Sequence, residues 1–438
     1  MEPLNETERA ICAELLQRIA DEPGLIDNDE RLKGLIARIH KEGRRGARLS
    51  GRAVVRENDR KTQQTAVLAR RDAGVTPEPD FEAAGKLKRG VRCYICKTHF
   101  QNIHFFYHLL CPACAALNWE KRTQRTDLTG RVALVTGARI KIGFELTLML
   151  LRDGATVLAT TRFPRDAARR FAAQPDASEW QDRLHLFGLD LRFLPTVENF
   201  ARQIDTLDIL IHNAAQTIRR PAAYYAPLLA AETEPVPQLA SRWLESDSPT
   251  GILAPMKQEE LSPWFPQNAL DRDGQPLDAR PMNSWRLRLG EVEPVEAAEA
   301  MLIGALAPFL LTDALRPVLA RSTFERRFII AVSAMEGQFA REAKTSFHPH
   351  TNMAKAALNM LTRTSASDLA DEGIYLNSVD TGWVTDENPL PVRKRTEFLP
   401  PLDCIDGAAR VYDPIVRGLR ESEPPYGYFF KDYAPYPW

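Results

Sequence analysis

At 438 residues, 44% hydrophobic and 26% charged, the chain has the balance of soluble globular protein and room for two or three domains. No run approaches the ~18 apolar residues that span a bilayer and no apolar core follows Met1, which argues against a membrane anchor and for a cytoplasmic protein. The net charge of -1 hides an asymmetry, because residues 86–125 carry eight Lys or Arg against Glu120 alone, a surplus of +7 that leaves -8 elsewhere. Such a segment suits an acidic partner, although basic linkers that bind nothing are more common.

Residues 1–75 read as a helical arm. Ile11, Leu15, Leu16 and Ile19 share a face behind Asn5 and Glu8, which have the spacing of a capping box. A second helix from near Asn28 repeats the stripe with Leu32, Leu35, Ile36 and Ile39, so a hairpin around Pro23 and Gly24 is expected. Arg44, Arg48, Arg52, Arg56 and Arg60 then recur every fourth residue, with Gly46 and Gly51 weakening the helix between them. Residues 72–85, with Pro77 and Pro79, read as a linker.

Cys93, Cys96, Cys111 and Cys114 follow in two C-x-x-C pairs. Each pair presents two thiolates, and two pairs close the tetrahedral all-sulfur shell that zinc accepts. Residues 86–120 therefore read as a small, ribbon-like module around structural zinc. The closed shell leaves no position for a reactive water, and His99, His104 and His108 are competing ligands between the pairs. Neither pair sits in a thioredoxin-like unit, so a redox role is the minor reading.

From residue 128 to 438 the pattern is alternating strand and helix, the mark of a doubly wound parallel α/β sheet of Rossmann type. Strands are expected at 131–136, 155–161, 184–189, 207–212, 327–332 and 373–380, with helices near 143–153, 194–204, 295–320 and 352–371. Residues 216–291 interrupt the alternation with ten prolines and with Trp243, Trp264 and Trp285. They exclude long helices and central strands, and their place after a strand's carboxyl end suits a lid. The first strand runs into T-G-A-R-I-K-I-G at Thr136–Gly143, a tight turn opening a helix. Free N–H groups and the helix dipole meet there, which suits a pyrophosphate.

These residues resemble the short-chain dehydrogenase/reductase family over roughly 128–438. The landmarks are the glycine turn (family pattern T-G-x-x-x-G-x-G), Asp190, H-N-A-A at 212–215, Lys355 and T-G-W-V-T at 381–385. The resemblance implies a dinucleotide held by Gly137, Arg139, Lys141, Ile142 and Gly143 of the turn. Asp190 would hold the adenine, Asn213 and Ala214 would flank the ribose, and Thr381, Gly382 and Val384 would line the nicotinamide. Arg162 ends the second strand where an acidic residue would favour NAD, so NADP is the expected cofactor, with Arg139 as a second cation. Lys141 replaces the family's middle glycine. It fits only if its stem turns outward or its ammonium meets a phosphate.

The catalytic positions depart further. Ala334 stands at the serine's place, Gly304 near the asparagine's and Thr351 at the tyrosine's, and only Lys355 remains. An aliphatic hydroxyl is a much weaker acid than a phenol, so a substitute donor would have to come from His350, His348, Tyr224 or Tyr225. Two readings stand: an NADP-dependent oxidoreductase of unknown carbonyl or alcohol substrate with a non-standard acid, or an NADP-bound scaffold or sensor working through a protein partner. Nucleic-acid binding by the basic module is a third, but Phe105, Phe106, Tyr107 and Trp119 read better as its small core. A homo-oligomer is compatible with all three.

Overall fold

Ala133 and Val135 face one side of their strand and Leu134 the other, and both sides are sealed from water. A computed structural model describes residues 3–72, 85–237, 243–245, 264–266, 269–271, 273–341, 343–396 and 398–438. The arm holds helices α1 (Glu6–Asp21), α2 (Glu30–Gln63) and α3 (Val67–Asp72); the cysteine module holds strands β1 (Gly85–Arg92) and β2 (His99–Ile103) and helix α4 (Pro112–Arg122). The third region begins with β3 (Val132–Thr136), α5 (Lys141–Arg152), β4 (Thr156–Thr161), α6 (Pro164–Ala172), β5 (Leu184–Gly188), α7 (Leu194–Ala201) and β6 (Ile209–His212). The insertion adds α8 (Ala222–Thr233) and β7 (Leu244–Glu245). Then come α9 (Pro294–Ala320), β8 (Arg327–Ser333), α10 (Pro349–Asp371), β9 (Ile374–Asp380), α11 (Leu390–Thr396), α12 (Cys404–Arg420), β10 (Phe429–Lys431) and β11 (Ala434–Tyr436).

The sheet order is β11-β10-β9-β8-β6-β3-β4-β5-β7, parallel throughout except for the terminal β10–β11 hairpin. Alternate residues of each strand enter two cores. Ala133, Ile209, Phe328 and Ile330 pack beneath α5, α6 and α12, while Leu134, Leu210, Ile329 and Leu376 pack beneath α7, α9 and α10. Burial on both faces is why these strands read as unbroken apolar runs. Helix α9 is long and apolar enough to cross a membrane by length and composition. Its Leu311, Leu315 and Leu319 are instead fully buried in the second core.

The structure corrects three expectations. Helix α2 runs unbroken through Gly46 and Gly51, although each glycine costs about 1 kcal/mol. Its C-terminal end is tied down, because Asp59 accepts the backbone N–H groups of Lys88 (2.7 Å) and Arg89 (3.0 Å) from β1. The apolar stripes of the arm do not close into a packed hairpin: Ile11 is 54% exposed and Ile39 62%. The insertion carries a twelve-residue helix, α8, despite Pro227 within it, and Trp243 does not cover the site. That indole packs on Trp180 at 5.6 Å at the sheet's edge. The linker prolines 77 and 79 and residues 246–263 of the insertion lie outside the described residues.

The boundary between arm and module also shifts. Ala66, Val67 and Leu68 belong to the module's core with Leu87, Phe100, Ile103, Phe106, Tyr107 and Leu110. That core extends to Val384 and Leu402 of the third region. The basic surplus is partly spent inside the chain: Lys121 pairs with Asp413 at 2.7 Å and Arg122 grips Asp403 through two bonds of 2.6 and 2.8 Å. Arg122 also lies 3.1 Å from Asp406, and Arg125 pairs with Asp153. Burial comes first among the causes that push the Asp406 carboxyl up to about 6, and the phenol of Tyr107 donates to it. Lys121 and Arg122 thus tie the module to the first turns and middle of helix α12 and its N-cap.

Candidate active site

The glycine turn is shaped by close backbone contact. Gly137 has φ +70°, and a Cβ there would lie 2.9 Å from Ala214 Cα. The amide of Asn213 donates to the carbonyls of Thr136 and Gly137 at 3.0 Å each, and Thr136 Oγ1 accepts the N–H groups of Asn213 and Ala214 at 3.1 Å. The turn and the end of β6 are therefore one rigid unit. Ile140, the N-cap of α5, offers no side-chain acceptor, which leaves first-turn N–H groups to a ligand.

Above the turn lies a cavity of about 1080 Å³ along the carboxyl edge of the sheet. Every expected cofactor contact lines it: Gly137, Arg139, Lys141, Ile142, Gly143, Arg162, Asp190, Asn213, Ala214, Lys355, Thr381, Gly382 and Val384. Gln275, Trp285 and Arg286 from the insertion line it too, so part of 216–291 does cover the site.

The cations are not interchangeable once their partners are visible. Arg139 is spent, with Asp166 at 2.6 Å and Gln275 Oε1 at 2.5 Å. Lys141 has φ +54°, and its ammonium sits 3.2 Å from Glu387 and 3.8 Å from Asp273. Burial, the largest single effect, would raise the Glu387 carboxyl, but Lys141, the Thr385 hydroxyl and Arg220 together outweigh it and hold the group down at about 2. Arg162 differs. Among the described residues it has no carboxylate partner, and it lies over the Tyr225 ring at 4.9 Å with one N–H to that phenol at 3.3 Å. Asp190 is held by Arg192, whose Nε lies 2.9 Å away.

At the opposite end Lys355 is buried and donates to the carbonyl of Val332 at 2.6 Å; burial brings its ammonium down to about 8. The expected catalytic neighbours do not join it. Thr351 does not line the cavity, and its buried hydroxyl has no hydrogen-bond partner among the described residues. His350 turns the other way, with Nε2 3.6 Å from Glu296 of α9. Ser333 gives its hydroxyl to Asn359 at 2.5 Å. Gly304 lies in a π-helical turn, where a Cβ would come 3.1 Å from Ala354 Cβ, so a side chain there needs Ala354 of α10 to give by a few tenths of an ångström. Tyr224 and Tyr225 line the cavity, but at the Arg162 end. His348 lines it as well, stacked on Trp285 at 4.0 Å with Nδ1 on the Trp285 carbonyl at 2.8 Å.

Among the lining residues that the sequence did not point to are Tyr94 and Lys97 of the cysteine module, and Asp380 at the end of β9. Tyr94 accepts the N–H of Trp383 at 2.9 Å, so the module walls one end of the cavity. An acidic residue closing the apolar run I-Y-L-N-S-V-D was the available signal for Asp380.

Residues 131–228 match the family model described as short chain dehydrogenase, and residues 283–399 match one described as enoyl-(acyl carrier protein) reductase. The chain belongs to the short-chain dehydrogenase/reductase family. An uncharacterised protein of Acanthamoeba polyphaga mimivirus is 34% identical over 350 residues, 74% of this chain and 71% of that one. The C-signal protein of Myxococcus xanthus is 31% identical over 127 residues, 29% of this chain and 72% of its own length. A solved short-chain dehydrogenase/reductase from Burkholderia multivorans with bound NADP covers 70% of this chain and 99% of its own, at 17% identity and a TM-score of 0.45.

Proposed function

We propose that the protein is an NADP(H)-dependent oxidoreductase of a carbonyl or alcohol substrate, with an acid other than the family's tyrosine. The observation that carries this reading is Arg162, a cavity-lining cation at the end of β4 with no acidic partner among the described residues. With the pyrophosphate at the first turn of α5, the 2'-phosphate falls beside it. Bound NADPH would supply the hydride. The chain supplies the rest: Arg162 fixes one end of the dinucleotide, the turn its centre, and Lys355 the ribose at the other end. The Lys141–Glu387 pair spans from the turn to the loop after β9. Cys93, Cys96, Cys111 and Cys114 suit structural zinc. Their sulfurs lie within 4.8 Å of one another and none is in a disulfide, while tetrahedral bonds of about 2.3 Å put sulfurs about 3.8 Å apart.

A scaffold or sensor role is favoured by one observation, the glycine at the asparagine position, packed tightly against Ala354. Calorimetry on wild type and Arg162→Ala tests the main reading. NADP+ should bind wild type about 10- to 100-fold more tightly than NAD+, the equivalent of a charge-assisted contact of about 1.5–3 kcal/mol, and the variant should lose that preference. Equal affinity of wild type for both would overturn it.

A further inference from the structure

The cavity follows the strand order. Arg162 and Asp190 lie at the ends of β4 and β5, the pyrophosphate turn follows β3, and the far end lies over β8, β9 and β10. The nicotinamide end is therefore the one where Ser333, Asp380 and Lys431 stand side by side, since these residues are register partners across the three strands.

The carboxylates that line the cavity are not equally engaged. Asp190 is bound by Arg192, Glu387 by Lys141 and Thr385, and Glu336 has Arg341 at 3.5 Å. Asp380 is only 6% exposed and accepts no hydrogen bond among the described residues. Lys431, the nearest cation, is 3.8 Å away and is itself satisfied by Asp432 at 2.6 Å. A buried carboxyl with no hydrogen-bond donor and only one long ion pair carries a large desolvation cost as a carboxylate, and it lowers that cost by holding its proton.

We propose that Asp380 takes the place of the missing phenol as the proton donor at the nicotinamide end. This rests on the NADP(H) reading above. In the reductive direction the hydride passes to the carbonyl carbon as the C=O π bond opens, and its oxygen takes the Asp380 proton. NADPH leaves as NADP+, Asp380 is left as a carboxylate, and solvent reprotonates it. The groups facing Asp380 come from every neighbouring element: Lys431 and Asp432 from the terminal hairpin, Glu336 from the loop after β8, Arg410 from α12, Tyr94 from the cysteine module, with Lys355 of α10 at the same end. Burial outweighs the cations among them and lifts the Asp380 carboxyl to about 6.

The sign of the linkage gives a test that needs no substrate. Oxidised nicotinamide is a cation and favours the carboxylate, so NADP+ binding should expel the Asp380 proton, whereas neutral reduced nicotinamide should not. Calorimetry of NADP+ and NADPH in buffers of different ionisation enthalpy, from pH 5 to 8, counts the protons. The 2'-phosphate, which titrates near pH 6, contributes equally to both and cancels in the difference. Wild type should release up to about half a proton more with NADP+ than with NADPH near pH 6, and the excess should vanish as pH rises to 8, where Asp380 is already a carboxylate in the free protein. Asp380→Asn should remove the difference while still binding both cofactors. Equal proton counts in wild type, or a difference that persists in Asp380→Asn, would overturn the assignment, and the wild-type comparison decides alone if the variant does not fold. Failure of wild type to bind either cofactor would instead overturn the NADP(H) reading.

Discussion

Gly143→Ala should lower NADP+ affinity by on the order of 100-fold or more, or else unfold the third region, and both results have one cause. The added Cβ would lie 2.2 Å from the Gly137 carbonyl oxygen and 2.4 Å from Asn213 Nδ2. Neither neighbour can give way, because the first is backbone and the second is held by two 3.0 Å bonds that join the turn to β6. Relief requires moving α5 off the turn, which also displaces the N–H groups meant for the pyrophosphate. Overpacking of this kind costs about 3 kcal/mol, which is roughly a factor of 100 in binding. Thermal unfolding and calorimetry on the variant check it. A native melting temperature together with native affinity would contradict the packing described for the turn.

Cys93→Ser should have the largest effect on the cysteine module. Cys93 is buried, and its sulfur accepts the N–H of Cys111 at 3.3 Å, so it joins the two knuckles even before a metal is considered. Structural zinc in small modules contributes about 10–16 kcal/mol, more than a core of this size supplies. Purified wild type should hold one zinc per chain and the variant far less. Amide exchange in 85–122 should then rise by orders of magnitude while strands β3 to β6 stay protected. The damage should also reach the cavity, because Tyr94 and Lys97 form part of its wall. Absence of zinc from wild type, or unchanged exchange in Cys93→Ser, would contradict this account.

The parallel strands were legible because burial on both faces leaves an unbroken apolar run, as in Val132–Val135 and Phe328–Val332. Shorter elements were not. β10 and β11 have three residues each and no periodicity to read, and β7 has two. The cofactor contacts could be placed because a glycine turn and a strand end fix backbone positions. What their side chains do depends on partners far away in sequence. Arg139 lines the cavity as the glycine turn predicts, but its guanidinium is also held by Asp166 of α6 and Gln275 of the insertion, which the turn does not reveal. Of the basic surplus of 86–125, Lys121 and Arg122 find acids some 280–290 residues on, in Asp403, Asp406 and Asp413. Thr351 follows the family's spacing to Lys355, but so short a side chain does not reach the cavity. Asp380 went unnoticed for the opposite reason. Nothing in a lone acidic residue at a strand's end says that, among the described residues, it will accept no hydrogen bond and meet only Lys431 at 3.8 Å.

The most direct test of NADP(H) binding along this groove is the structure of the protein with NADP+ bound. The account predicts the 2'-phosphate within hydrogen-bond distance of Arg162, the pyrophosphate on the N–H groups of 140–143, and the nicotinamide over β8 and β9 beside Asp380 and Lys355. A dinucleotide lying in the reverse direction, or a groove left empty at saturating NADP+, would contradict it.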